Sequence, residues 1–104
     1  MWECADACNR CASLCERTLA YCLSQGGKHV EARHIKLLID CIDACRTCGG
    51  MCDHSSDHRG SMCRTCAEIC RACADSCDGF DDERMQECAE ACRRCAETCQ
   101  DMAR

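Results

Sequence analysis

The sequence predicts an all-α protein: an antiparallel up-down-up-down four-helix bundle with a cysteine-lined core. Three observations carry that expectation. The 18 cysteines recur at steps of three and four, the spacing of one face of an α-helix. They fall into four clusters joined by short links, which make sequential helices antiparallel neighbours. The chain holds no proline, so nothing in it forbids four uninterrupted helices. Helices that each offer thiols along one side hide those sides by facing one another.

The first helix is predicted from about Trp2 to Ser24, with a stripe of Met1, Cys4, Cys8, Cys11, Cys15, Thr18 and Cys22. Glu3, Asp6, Arg10, Glu16 and Arg17 fall mainly off that stripe, while Leu14, Leu19, Tyr21 and Leu23 add apolar packing to the second half. Gly26-Gly27 suits a left-handed helix end, and Gln25 to Val30 reads as a loop.

The second helix is predicted from about Glu31 to Cys52, with His34, Leu38, Cys41, Cys45, Cys48 and Cys52 in register. A row of Ile35, Ile39 and Ile42 lies about 100° round from it. That row serves either packing against the first helix or a subunit contact. Asp53 to Asp57 is a polar turn. The third helix runs to Ser76 or Cys77 and ends at Gly79; its stripe is Cys63, Cys66, Cys70, Cys73 and Cys77. Asp81 or Asp82 is the expected N-cap of the fourth helix, with Glu83 favourable at its positive end. That helix reaches Met102 and carries an unbroken sulfur stripe, Met85-Cys88-Cys92-Cys95-Cys99-Met102. Cys8-Asn9-Arg10-Cys11, Cys63-Arg64-Thr65-Cys66, Cys70-Arg71-Ala72-Cys73 and Cys92-Arg93-Arg94-Cys95 are near-repeats of one another, with the period of a helical hairpin and not of a solenoid.

At 104 residues the chain is expected to form one domain, 1–104. So many cysteines first suggest a disulfide-rich secreted scaffold. Met1-Trp2-Glu3-Cys4 opens directly into the periodic pattern, however, with neither a basic nor an apolar leader. The expected compartment is therefore the cytoplasm, where thiols stay reduced. Cβ atoms at i,i+4 on a helix stand roughly 5–6 Å apart, too far for the about 3.5–4.5 Å of a disulfide. No apolar run is long enough to span a membrane. A net charge of −5, with acids and bases mixed, disfavours nucleic acid. Trp2, Tyr21 and Phe80 are the only aromatics and make no stacking platform.

Cysteine as a small core filler would be mixed with Leu, Val and Ile. Here the inner face is nearly pure sulfur except at Leu38, which points to metal. Thiolates with occasional thioethers select Cu(I), Zn(II) or iron–sulfur clusters. Zinc wants closed tetrahedral sets of four, and a gapless stripe does not divide into them. Iron–sulfur motifs gather cysteines on wrapping loops, typically closed by Cys-Pro. Cu(I) accepts two or three thiolates, each able to bridge two ions. A ladder of such sites holds on the order of one ion per cysteine, roughly 18. The candidate ligands are all 18 cysteines together with His34 and Met85, which lie in the cysteine register. No nucleophile–base constellation emerges, so no enzyme is expected. The alternatives are a zinc or general soft-metal buffer, an iron–sulfur electron carrier and a redox-sensing thiol protein.

The run Thr18-Leu19-Ala20-Tyr21-Cys22-Leu23, then Gly26-Gly27-Lys28-His29, the repeated Cys-x-x-x-Cys and Cys-x-x-Cys pairs, and the ending Cys88-Ala89-Glu90-Ala91-Cys92-Arg93-Arg94-Cys95-Ala96-Glu97-Thr98-Cys99 resemble the bacterial copper storage proteins. The resemblance covers essentially the whole chain. It implies a four-helix bundle that fills its lumen with many Cu(I) ions, of the cytosolic branch, commonly assembled as a homo-oligomer, a tetramer. Copper ions are the expected partners, delivered or removed by a copper chaperone or a small-thiol donor. One end of the bundle gathers Cys22, His29, His34 and Met85, partly plugged by Leu19, Leu23, Ile35 and Leu38. The other gathers Met1, Met51, His54, His58, Met62 and Met102. The resemblance favours the first end as the mouth; composition favours the second.

Overall fold

The structure, a computed structural model, describes residues 2–103, so the predicted place of Met1 lies outside the described residues. Four helices follow one another: α1 (Glu3–Gln25), α2 (Ala32–Asp53), α3 (Arg59–Cys77) and α4 (Glu83–Ala103). Each predicted span holds to within a residue or two. The Gln25–Val30 loop contains one 3₁₀ turn, Gly27–Val30, that the periodicity did not announce.

The links between helices are local chemistry. Gly26 and Gly27 both take positive φ, 71° and 56°, and the Gly26 N–H donates to the Cys22 carbonyl at 3.2 Å. A Cβ at either glycine would meet nothing within 4 Å, so the requirement there is backbone conformation and not space. In the α2–α3 turn Ser55 takes φ 52°. The Arg59 guanidinium holds that turn by donating to the carbonyls of Ser55 and Ser56 at 3.1 and 2.8 Å. Of the two candidate caps, Asp82 does the work: its Oδ1 accepts from the Met85 N–H at 2.9 Å.

The bundle is a rod of 42 × 18 × 17 Å. Each helix packs on its two neighbours, and among the described residues the diagonal pairs α1–α3 and α2–α4 make no close backbone approach. The axis between the diagonals is left to side chains. There all 18 cysteines are buried, with Leu38 and Met85 the largest fully buried side chains. Beside the sulfur stripes runs a second buried row of small residues: Ala5 and Ala12, Ala44 and Gly49, Ala67 and Ala74, Ala89 and Ala96. At Gly49 the backbones come so near that an added Cβ would lie 2.9 Å from Asn9 Oδ1 and 3.5 Å from the Cys8 Cβ.

The isoleucine row divides. Ile42 is buried and Ile35 packs against the core, whereas Ile39 is 42 % exposed. Leu23 corrects an expectation: at 61 % exposure it plugs nothing, because Thr18 and Cys22 take the buried face of that turn. No described helix is long and apolar enough to cross a membrane.

Candidate metal centre

Stepping by three and four, each helix delivers its thiols to the axis, and the antiparallel arrangement sets them level with those of the neighbours. At the end formed by the α1 and α3 N-termini, Cys63 Sγ is the hub. It lies 3.5 Å from Cys4, 3.5 Å from Cys48 and 3.7 Å from Cys52. Cys4 and Cys8 each stand 3.6 Å from Cys99, and Cys95 donates to Cys8 at 3.7 Å.

Mid-lumen, Cys45 touches Cys66, Cys70 and Cys95 at 3.8, 3.7 and 3.9 Å. Cys41 touches Cys11, Cys15, Cys70 and Cys92 at 4.0, 3.8, 3.8 and 3.9 Å. Cys15 continues the ladder to Cys88 at 3.8 Å, and Cys73 and Cys77 are buried in the same lumen. All 18 thiols are free.

The lumen closes at the other end on a mixed donor set. The Cys22 thiol donates to Met85 Sδ at 3.7 Å, and its Sγ lies 3.5 Å from His34 Nε2. His34 Nδ1 pairs with Ser76 Oγ at 2.8 Å, which orients the ring with Nε2 facing Cys22. Burial holds the His34 pKa below the ordinary histidine range, so the ring is a neutral donor. The two non-cysteine candidates and Cys22 thus converge. Beyond them the Phe80 ring lies tilted against His34 and His29, with centroids at 4.8 and 4.4 Å. His29 pairs with Asp82 at 2.7 Å. Sequence reasoning gave Phe80 and Ser76 no role. The one available signal was a lone apolar residue inside Asp78-Gly79-Phe80-Asp81-Asp82. The remaining candidates do not join a cluster: His54 and His58 are exposed, while Met51, Met62 and Met102 are half-buried.

Burial and neighbouring thiols decide protonation. Cys22 is pushed up to about 11, first by burial and then by the charge of Cys88. Burial likewise takes Cys63 up to about 12. Mid-lumen thiols polarise one another. Hydrogen bonds from Cys11, Cys15, Cys45 and Cys70 hold Cys41 below the usual thiol range. Hydrogen bonds with Cys11, Cys41, Cys66 and Cys70 hold Cys45 well above it. A thiolate formed at Cys41 is therefore stabilised by S–H groups around it, and Cys15, Cys45 and Cys70 among them are held above the usual thiol range.

Chemically, the arrangement offers soft donors in overlapping quartets whose ligand atoms all lie within 4.8 Å of one another. Cys4, Cys8, Cys48 and Cys99 form one; Cys4, Cys48, Cys52 and Cys63 form the next; Cys11, Cys41, Cys45 and Cys70 share Cys11 and Cys41 with Cys11, Cys15, Cys41 and Cys92. Shared sulfurs suit bridged ions, not isolated tetrahedral sites.

Comparison with known proteins agrees with this geometry. The family model described as copper storage protein matches residues 1–104. A protein of known crystal structure from Nitrosospira multiformis is 46 % identical, over 96 % of this chain and 91 % of that one, with a TM-score of 0.92. The Cu(I)-bound copper storage protein BsCsp3 is 32 % identical over 100 % of both chains, with a TM-score of 0.93. The apo form of copper storage protein 3 from Bacillus subtilis is 34 % identical over 97 % of this chain and 96 % of that one, with a TM-score of 0.88. No curated protein sequence matches the chain.

Proposed function

From the premise that this chain belongs to the copper storage protein family, we propose that it stores and sequesters multiple Cu(I) ions on the thiolates of its lumen. The observation that carries this reading is the sharing of sulfurs between adjacent quartets. A Cu(I) ion needs only two or three thiolates, and each bridging sulfur serves two ions, so the capacity is roughly one ion per cysteine. All 18 cysteines are the proposed ligands, with His34 and Met85 completing the donor set at Cys22.

The chain acts as one storage domain and not as an enzyme, a role that its family membership supports. It works in the cytoplasm, receives copper from a chaperone or a small-thiol donor, and assembles as a homo-oligomer, a tetramer. Loading displaces protons from the thiols and stabilises the fold, because the ligand set exists only in the folded chain.

The test is anaerobic Cu(I) titration of the apo-protein against a chelator of known affinity, counting ions per chain. A load on the order of 18 is expected. A load of a few ions, or preferential retention of Zn(II) when the two metals compete, refutes the storage reading.

A further inference from the structure

The α1–α4 seam is grooved along its outer side. A cavity of about 450 Å³ is walled by Arg10 and Leu14 of α1 and by Arg94 and Glu97 of α4, with Cys11 and Cys95 on its floor. A second, of about 500 Å³, shares Arg10 and Leu14 and continues to Arg17 and Glu87. Cys11 and Cys95 are each 1 % exposed, whereas most lumen thiols are fully covered.

The cations along this groove are uncommitted. On the α1–α2 seam Arg46 pairs with Glu16, and on the α3–α4 seam Arg93 pairs with Asp75 and Asp78. Arg10, Arg17 and Arg94 are exposed and form no ion pair among the described residues. The first cavity sets two guanidinia against one carboxylate, a locally positive recess in a chain of net charge −5. Its α1 wall, the side of Cys11, contributes arginines only, while both carboxylates, Glu87 and Glu97, stand on the α4 side. A guanidinium fork takes a carboxylate on two parallel hydrogen bonds, and recesses of about 300–1,000 Å³ hold small molecules.

We propose that this recess is a modification site of the metal-free protein, where a small peptide-like disulfide bearing carboxylates docks and transfers one half of itself to Cys11. Arg10 and Arg94 take its carboxylates, Glu97 takes its ammonium group, and its sulfurs lie towards the floor. The Cys11 sulfur attacks as a thiolate. The S–S bond of the disulfide breaks, a new one forms between Cys11 and the nearer half, and the departing half takes up the proton that Cys11 gave. Cys11 is oxidised and the departing half is reduced to a thiol, so no further oxidant enters. The site goes beyond the storage reading, and only its consequence rests on that reading. Cys11 belongs both to the quartet with Cys41, Cys45 and Cys70 and to the quartet with Cys15, Cys41 and Cys92. One adduct therefore disables two neighbouring sets, and a reducing thiol restores them. Copper load then follows the redox state of the surrounding small thiols.

The test incubates the apo-protein anaerobically with oxidised glutathione, quenches it early in acid and maps adducts by peptide mass spectrometry. Cystamine, a cationic disulfide, is run in parallel, and both rates are normalised to those with free cysteine. The first glutathionyl group should appear on Cys11, and oxidised glutathione should react several-fold faster than cystamine. Arg10→Ala/Arg94→Ala should bring the two rates together, while Lys36→Ala, at an exposed position on α2, should change neither. A first adduct on Cys52, the most exposed cysteine at 7 %, would mean that exposure alone selects the thiol and overturns the proposal. Equal normalised rates in the unsubstituted protein, or rates indifferent to the two arginines, overturn it as well. The Cu(I) load of the purified single adduct should fall by more than one ion; a fall of one or none overturns the consequence drawn from the shared quartets. A load of only a few ions in the unmodified chain overturns the storage reading instead.

Discussion

Leu38 is the one large aliphatic side chain that interrupts the sulfur stripes, fully buried between His34 and Cys41 in sequence. In the apo-protein it should be a disproportionate anchor, since the surrounding core is thiol and methyl. Leu38→Ala removes a buried isobutyl group at a cost of about 3 kcal/mol, mid-range for such truncations. For a domain of about 100 residues, each kcal/mol shifts Tm by about 4–8 °C, so the apo variant should melt about 12–24 °C lower. Copper should more than offset that loss relative to the apo unsubstituted protein, while the gap to the loaded unsubstituted protein, which gains the same binding energy, persists. An ion held only by the folded state contributes about 2.7 kcal/mol when free ligand is 100 times its Kd, so two such sites outweigh the missing side chain. The assay is differential scanning calorimetry of the apo and Cu(I)-loaded forms with the metal load counted in parallel. Leu38→Cys, which puts a thiol into the vacant register position, should hold at least as much copper as the unsubstituted chain. An apo Tm that falls by less than about 4 °C refutes the anchoring argument. Loss of several ions from Leu38→Ala refutes the separation of anchor from ligands.

The apo fold should weaken in alkali. Cys22 and Cys63 have folded pKa values of about 11 and about 12 against an ordinary 9.0, so the folded state keeps protons that the unfolded chain gives up. Their contribution is complete below the ordinary thiol pKa and is lost as pH rises through the folded values; apo melts by circular dichroism should drop from about pH 9 upward, while the loaded form changes little. Cys63→Ser replaces the hub of Cys4, Cys48 and Cys52 with a hard oxygen and should remove about two bridged ions, counted by metal analysis, instead of one. Asp82→Ala deletes the bond to the Met85 N–H; an N-cap of this kind is worth about 1 kcal/mol, and the apo Tm should fall by about 4–8 °C.

What the sequence discloses here is set by range of interaction. Helix spans and the inward face of every cysteine follow from spacing within one helix, so the stripes could be drawn correctly without knowing their neighbours. His34 and Met85 were found by the same extrapolation of register. Ser76, by contrast, meets His34 across 42 residues of chain, and no local pattern relates them. Phe80 sits in a link, where periodicity is silent, and its ring partners lie far away in sequence, His29 in the first connection and His34 in the first turn of α2. The isoleucine row was ambiguous for a physical reason: positions about 100° from the stripe lie at the seam between a helix and its neighbour. Which of them is covered depends on that neighbour, so Ile42 is buried and Ile39 is not.

The small residues beside the stripes explain how a lumen of thiols can exist before metal arrives. In α1, α3 and α4, Ala5, Ala12, Ala67, Ala74, Ala89 and Ala96 each follow a cysteine by one position, so they lie about 100° from it, on the seam. Gly49 follows Cys48 in the same way and meets Asn9 and Cys8 of α1. Methyl groups and a bare backbone at the seams let the helices approach closely. That approach brings sulfurs from four helices to within 3.5–4.0 Å. Leucines at those positions would add burial but force the helices apart, and neighbouring thiols could no longer share one small ion. The seams therefore set the sulfur spacing, and the sulfurs are left to the metal.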